Sequence, residues 1–161
     1  MRRRFTALAV LALALTAAVG YAGGEQAAAA SRFGNTFTLV ETNDVLADEA
    51  THAPPDFSKP IPPGDSLVFK ADLLQGRTKV GEGRGVCTSV FDTKFVCNVV
   101  FAVADHGSLS LQVLFDPTLP EGEYAVTGGT GEFAFKQGWA HFKNLSNGDA
   151  VHTFHLRDLK D

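Results

Sequence analysis

The chain has 161 residues, 45% hydrophobic and 20% charged, with 14 Lys+Arg against 18 Asp+Glu. The length suits one compact domain and is short for two. The acidic balance excludes a phosphate-binding surface as the main role, and ordinary charge content with 13 Phe excludes a largely disordered chain.

The first thirty residues have the pattern of an export signal. Met1-Arg2-Arg3-Arg4 is a basic start, Phe5 to Val19 is an apolar run with two Thr, and small residues then offer cleavage after Ala22 or after Ala30. The run is short for a membrane span, and an uncleaved N-terminal anchor is the alternative. Arg2-Arg3-Arg4-Phe5 also fits a loose twin-arginine pattern. No Cys lies near either cleavage point, so lipid attachment there is excluded. The expected organisation is a signal peptide over 1–30 and one domain over 31–161, secreted and without a stable membrane anchor. Cutting after Ala30 removes Arg2, Arg3, Arg4 and Glu25, which takes Lys+Arg from 14 to 11 and Asp+Glu from 18 to 17, a formal net charge of −6.

Strand-like runs follow, separated by turn signals, with no convincing amphipathic helix. Thr36 to Glu41 is the first. The segment from Asn43 to Gly64 holds five of the seven Pro and cannot be a central strand; so long a connection in a small domain is expected to be a functional loop or lid. Next, Leu67, Phe69, Ala71 and Leu73 share one strand face. Gln75-Gly76-Arg77 turns the chain, Val80 to Phe91 runs back, and Asp92-Thr93 turns it again. Phe95, Cys97, Val99, Phe101 and Val103 share the next face. Asp105-His106-Gly107 is a hairpin turn before Ser108 to Phe115. Pro117 to Gly122 is a loop and Tyr124-Ala125-Val126 a short strand, broken by Gly128-Gly129-Thr130-Gly131. Phe135 to Leu145 and Val151 to Leu159 make a last hairpin across Ser146-Asn147-Gly148-Asp149. About eight antiparallel strands in this order close most economically into an all-β up-and-down barrel, which leaves no exposed edges. An open sandwich is the alternative.

Few residues have chemistry-bearing spacing. Gly81, Gly83 and Gly85 leave three successive positions bare on one strand face, for barrel curvature or for ligand space. Cys87 and Cys97 lie five residues either side of Asp92, opposite each other in a tight hairpin. Export makes a disulfide plausible; the rival is a free working thiol at Cys87, and each reading excludes the other. His52, His106, His141, His152 and His155 form no zinc-binding spacing, so no metal is expected. His106 reads as a turn residue. His141 shares a face with Phe135 and Trp139, and His155 with Val151 and Thr153. Gly128-Gly129-Thr130-Gly131 lacks the Lys that would cradle phosphate, and Asn144-Leu145-Ser146 matches a glycosylation triplet. Glu41, at the end of the first strand with Asn43 two residues on, could act as a base or polarise a ligand at a barrel mouth if apolar walls raised its pKa; a solvated strand-end Glu is the alternative.

From about Thr38 to Leu159 the chain resembles the allene oxide cyclase family and the wider barrel family it shares with dirigent proteins. Glu41-Thr42-Asn43 is similar to the family's Glu-x-Asn at the end of the first strand. Gly85-Val86-Cys87 resembles its third strand, Asp105 to Gln112 its Asp-x-Gly-x-Leu-Ser-x-Gln, and Ala125 to Phe133 its Ala-Ile-Thr-Gly-Gly-x-Gly-x-Phe. The resemblance implies an eight-stranded antiparallel barrel, often trimeric, with an apolar cavity and no cofactor. Its members hold a reactive molecule in one conformation, which is entropy control more than acid–base chemistry. It also implies catalytic roles for Glu41, Asn43 and Cys87. Ala71 stands where the family places an Asn, and Glu49-Ala50 where it has Ser-Pro. Phe37, Phe69, Phe101 and Phe115 are expected as cavity walls from strand parity. The expected partner is a hydrophobic small molecule rather than nucleic acid. The expected activity is a cyclase or isomerase, with a dirigent-like stereo-directing barrel as the alternative.

Overall fold

The computed structural model describes residues 33–49, 51–91 and 94–159; the signal-peptide reading of 1–30 and the Asp92-Thr93 turn lie outside the described residues. Eight strands follow in order: β1 (Thr36–Asp48), β2 (Ser66–Gln75), β3 (Thr78–Ser89), β4 (Phe95–Val103), β5 (Gly107–Phe115), β6 (Glu121–Gly129), β7 (Lys136–Asn144) and β8 (Ala150–Asp158). Each pairs antiparallel with the next, and β1 pairs with β8 from Thr36–His155 to Glu41–Ala150, so the sheet closes into an up-and-down barrel. The sandwich alternative is excluded by this closure.

Period-2 alternation builds the interior. Phe95, Cys97, Phe101 and Val103 of β4 are buried, as are Leu109 and Leu111 of β5 and Ala150, His152, Phe154 and Leu156 of β8. Two strands are longer than the sequence reading gave them. β1 continues to Asp48, with Val45 to Asp48 paired to Lys70 to Leu67, so the long connection begins only at residue 49. β6 spans Glu121–Gly129 because Gly128 and Gly129 still pair with Ser110 and Leu109. The Pro-rich connection is tied down by its apolar side chains. Ile61 packs against the buried cluster of Leu67, Cys87, Phe95 and Cys97, Phe57 stands edge-on to Phe95 at 6.2 Å, and the Ser89 hydroxyl donates to the Ile61 carbonyl at 3.0 Å.

β1 carries one extra residue against β2: Thr42 pairs with Asp72 and Val45 with Lys70, so three steps along β1 match two along β2. This bulge switches the parity of the strand. Glu41 faces inward before it and Asp44 and Leu46 after it, while Val45 is exposed.

The barrel has two unlike ends. The end with the short turns after β2, β4 and β6 is filled. Phe33, from the segment before β1, packs against Phe37 at 5.0 Å, His106 at 5.0 Å and Phe133 at 5.6 Å, and Phe37 stacks on Phe154 at 4.7 Å. His106 Nδ1 and Glu132 Oε1, 2.7 Å apart, join the β4–β5 turn to the short 3₁₀ helix Gly131–Phe133 over this plug. The opposite end, where β1 leaves and β8 enters, is where the cavity lies.

The bare stripe on β3 makes room for neighbouring rings as well as for curvature. A Cβ on Gly83 would meet the Phe101 ring at 3.0 Å, and one on Gly85 would meet the Phe69 ring at 2.5 Å and the Asn98 carbonyl oxygen at 2.7 Å. Farther along the same face, Cys87 pairs directly with Cys97 and is joined to it by a disulfide across β3 and β4, with Cα atoms 4.0 Å apart.

Two stability outcomes follow from these contacts. Gly85→Ala is expected to lower stability by about 1–3 kcal/mol through overpacking, whereas Gly128→Ala, which meets nothing within 4 Å, leaves it nearly unchanged; urea unfolding of both checks this. Replacing both Cys87 and Cys97 by Ser opens a short loop in the unfolded chain and is expected to cost about 2–3 kcal/mol in the same measurement.

Candidate functional site

A cavity of about 160 Å³ lies towards the end of the barrel opposite the phenylalanine plug. Its walls are mostly aromatic and aliphatic: Phe69 from β2, Val99 and Phe101 from β4, Leu111, Val113 and Phe115 from β5, and Phe142 from β7. An apolar cavity of about 150 Å³ holds one benzene ring, so this one takes a single ring outright and a second where it opens.

Glu41, Tyr124 and His152 gather on the β1, β6 and β8 wall, and Asn144 at the end of β7 also lines the cavity. Glu41, its side chain 13% exposed, lies with Oε2 3.4 Å from Nε2 of His152, whose side chain is 8% exposed. On the other side of the imidazole, Nδ1 is 2.8 Å from the Tyr124 hydroxyl. Burial first, and then the charge of Glu41, push the Tyr124 phenol well above its ordinary value, so it stays protonated. It donates to an unprotonated Nδ1 or accepts from a protonated one. Nε2, by contrast, is fully buried and has no hydrogen-bond partner, the only such side-chain atom among the described residues. The edge of the imidazole also meets the Phe101 ring at 5.1 Å. The ring is thus held at Nδ1 and along one edge, with Nε2 turned towards Glu41.

Asp44 lies at the rim. The residue as a whole is exposed, yet partial burial of its carboxyl group, then the charge of Glu41, push its pKa up to about 6, and His152 works in the opposite direction.

The expected site residues are distributed as follows. Glu41, Cys87, Phe69, Phe101 and Phe115 all line the cavity. Cys87 does so as half of a disulfide, so of its two readings the bonded one holds and no free thiol faces the cavity. Phe37 does not reach the cavity; it is part of the plug at the filled end, because β1 enters there. Asn43 sits in the β1 bulge, and its side chain lies outside the described residues. His141 and His155 face outward, the latter stacked on Trp139 at 4.3 Å. The sequence reading missed His152, Tyr124 and Asp44. For His152 a signal existed: it shares its face with Ala150, Phe154 and Leu156, which makes it the inward His of β8. For Asp44 there was none, since the bulge that turns it inward has no local signature.

Residues 16–157 match the family described as Dirigent-like protein. The chain therefore belongs to the dirigent-like protein family, within the barrel group that includes allene oxide cyclase-like proteins. No curated protein matches it. Among solved structures, a pyocyanin demethylase is 28% identical, with a TM-score of 0.63, over 76% of this chain and 99% of its own. A pterocarpan synthase dirigent protein is 21% identical, with a TM-score of 0.57, over 78% and 96%. The Diels Alderase AbmU from Streptomyces koyangensis is 16% identical, with a TM-score of 0.59, over 81% and 72%. At those identities the last two speak for the fold alone.

The raised pKa of Asp44 has a defined sign for stability. The folded chain holds a proton there that the unfolded chain releases at the ordinary 3.8. The resulting advantage is full below 3.8 and is lost as pH rises through about 6. Asp44→Asn is therefore expected to raise the urea midpoint near neutral pH relative to the parent, with the difference closing in acid. Because solvent at the rim screens the charge, the gain should be under ~1 kcal/mol.

Proposed function

We propose that this barrel takes up a hydrophobic small molecule, or the reactive part of a larger one, and promotes an intramolecular isomerisation or cyclisation inside it. The observation that carries this reading is the Glu41–His152–Tyr124 array on one wall of a largely apolar cavity. The apolar walls restrict the conformations of a bound molecule, which lowers the entropy still to be lost at the transition state. Glu41, or Nε2 of His152, takes a proton from the bound molecule and returns it at a second position, which is what an isomerase needs and requires no net redox change. Tyr124 is a positioning residue: it holds Nδ1 and so aims Nε2. The Cys87–Cys97 disulfide, together with the signal-like N-terminus, supports a working place outside the cytoplasm.

A second reading is favoured by the family match: a barrel that binds and orients a reactive molecule while adding no proton chemistry, as the dirigent name implies. The two separate on one probe. Nitrobenzisoxazole is a neutral fused bicycle; transfer of its ring C–H proton to a base breaks the N–O bond and gives cyanonitrophenolate, the conjugate base of its isomer. The protein is expected to accelerate this ring opening above acetate and imidazole buffers of equal base concentration. Glu41→Gln should lower the rate by about 10²-fold. Tyr124→Phe should give a smaller loss and a displaced pH–rate profile. Binding of the probe with no acceleration would overturn the isomerase reading and leave the orienting one.

A further inference from the structure

The charge inventory of the cavity narrows the class of molecule it takes. Glu41 and Asp44 both turn inward, because the β1 bulge places residues of opposite parity on the same face. Among the described residues no Lys or Arg lines the cavity, so the cation available to balance two carboxylates is at most the one imidazole of His152. The two acids oppose each other: the charge of Glu41 is one reason the Asp44 carboxyl gives up its proton reluctantly. The imidazole is an incomplete counter-ion: Nε2 of His152 lies 3.4 Å from Oε2 of Glu41 without making a hydrogen bond, and Nδ1 is taken by the Tyr124 hydroxyl. Facing these groups are the rings of Phe69, Phe101, Phe115 and Phe142, whose faces are the negative ends of their quadrupoles.

We propose that the molecule held in this barrel is an organic cation of one or two fused aromatic rings, such as a ring-nitrogen-quaternised heteroaromatic, with its charge on the Glu41–Asp44 side and its ring among the phenylalanines. The proposal rests on the reading of the barrel as a small-molecule site and names the class of that molecule. Positive charge relieves the repulsion between Glu41 and Asp44, and a flat ring fills a space of about 160 Å³. A metal ion is a poorer occupant, since no group of three or more His, Cys, Asp or Glu among the described residues is arranged to hold one. An anionic amphiphile would bring a third negative charge to the same wall.

Isothermal titration calorimetry with three compounds of one size tests this: N-methylquinolinium, quinoline and naphthoate, at a pH where quinoline is neutral. N-methylquinolinium should bind about tenfold more tightly than quinoline, naphthoate more weakly than either, and added salt should weaken the cation selectively. The cation-to-quinoline affinity ratio should fall towards one in Asp44→Asn and in Glu41→Gln, each first shown to be folded by circular dichroism. Equal binding of quinoline and N-methylquinolinium would overturn the proposal while leaving the barrel a site for neutral rings. A preference for the cation that survives in the Glu41→Gln, Asp44→Asn double variant would overturn its assignment to these carboxylates. Binding of none of the three would overturn both this proposal and the small-molecule reading beneath it.

Discussion

The pairing of β1 with β8 is the contact on which the rest of the molecule depends. Once the sheet closes, every strand has an inside and an outside, and each inward residue must fit a space bounded by seven other strands. At one end this space is packed solid by Phe33, Phe37, Phe133 and Phe154. At the other it is left open. The difference arises from what the strands deliver there: Ala150, Cys87 and Cys97 are small, and Glu41 and His152 are polar. The glycines of β3 belong to the same balance, since Cβ atoms at 83 and 85 would force the Phe69 and Phe101 rings from the positions at which they wall the cavity.

The second constraint is local. A single additional residue in β1 brings two carboxylates to one wall where strict alternation would bring only one of them. Carboxylates so placed, partly withdrawn from water and close to a buried imidazole, have a stability cost that a plain apolar lining would not have. Such a cost is found where structure serves chemistry or recognition, and here it coincides with the one cavity wall that is polar. Tyr124 and Phe101 hold the imidazole in place, so the polar wall is rigid although it lacks a complete set of internal hydrogen bonds.

Much of the architecture was legible in the sequence because hairpin signals and period-2 alternation act over a few residues. The buried faces of β2 and β4 followed from parity alone. The disulfide was one of two readings, and register decided it: Cys87 and Cys97 are directly opposed. The misjudged ends have physical causes. Asn43, Asp44 and Asp48 are poor strand formers in isolation, yet β2 supplies ladder partners that draw this stretch into the sheet. Gly128 and Gly129 look like a break, yet pairing with β5 keeps them extended. Phe37 has the right parity for a cavity wall and the wrong height along the barrel, a coordinate that depends on strand stagger and not on alternation. Asp44 depends on a bulge, and no nearby residue announces one. His152 could have been found, because the inward face of β8 was defined by its apolar neighbours.

The plug of phenylalanines at the filled end gives the barrel the topology of a cup and not of a tube. Phe33, Phe133 and Phe154 are at most 1% exposed, so nothing the size of a ring passes that way. Whatever enters the cup must leave by the same rim, past Asp44. A molecule held in the cup would therefore block the next until it departs, the two competing for a single doorway.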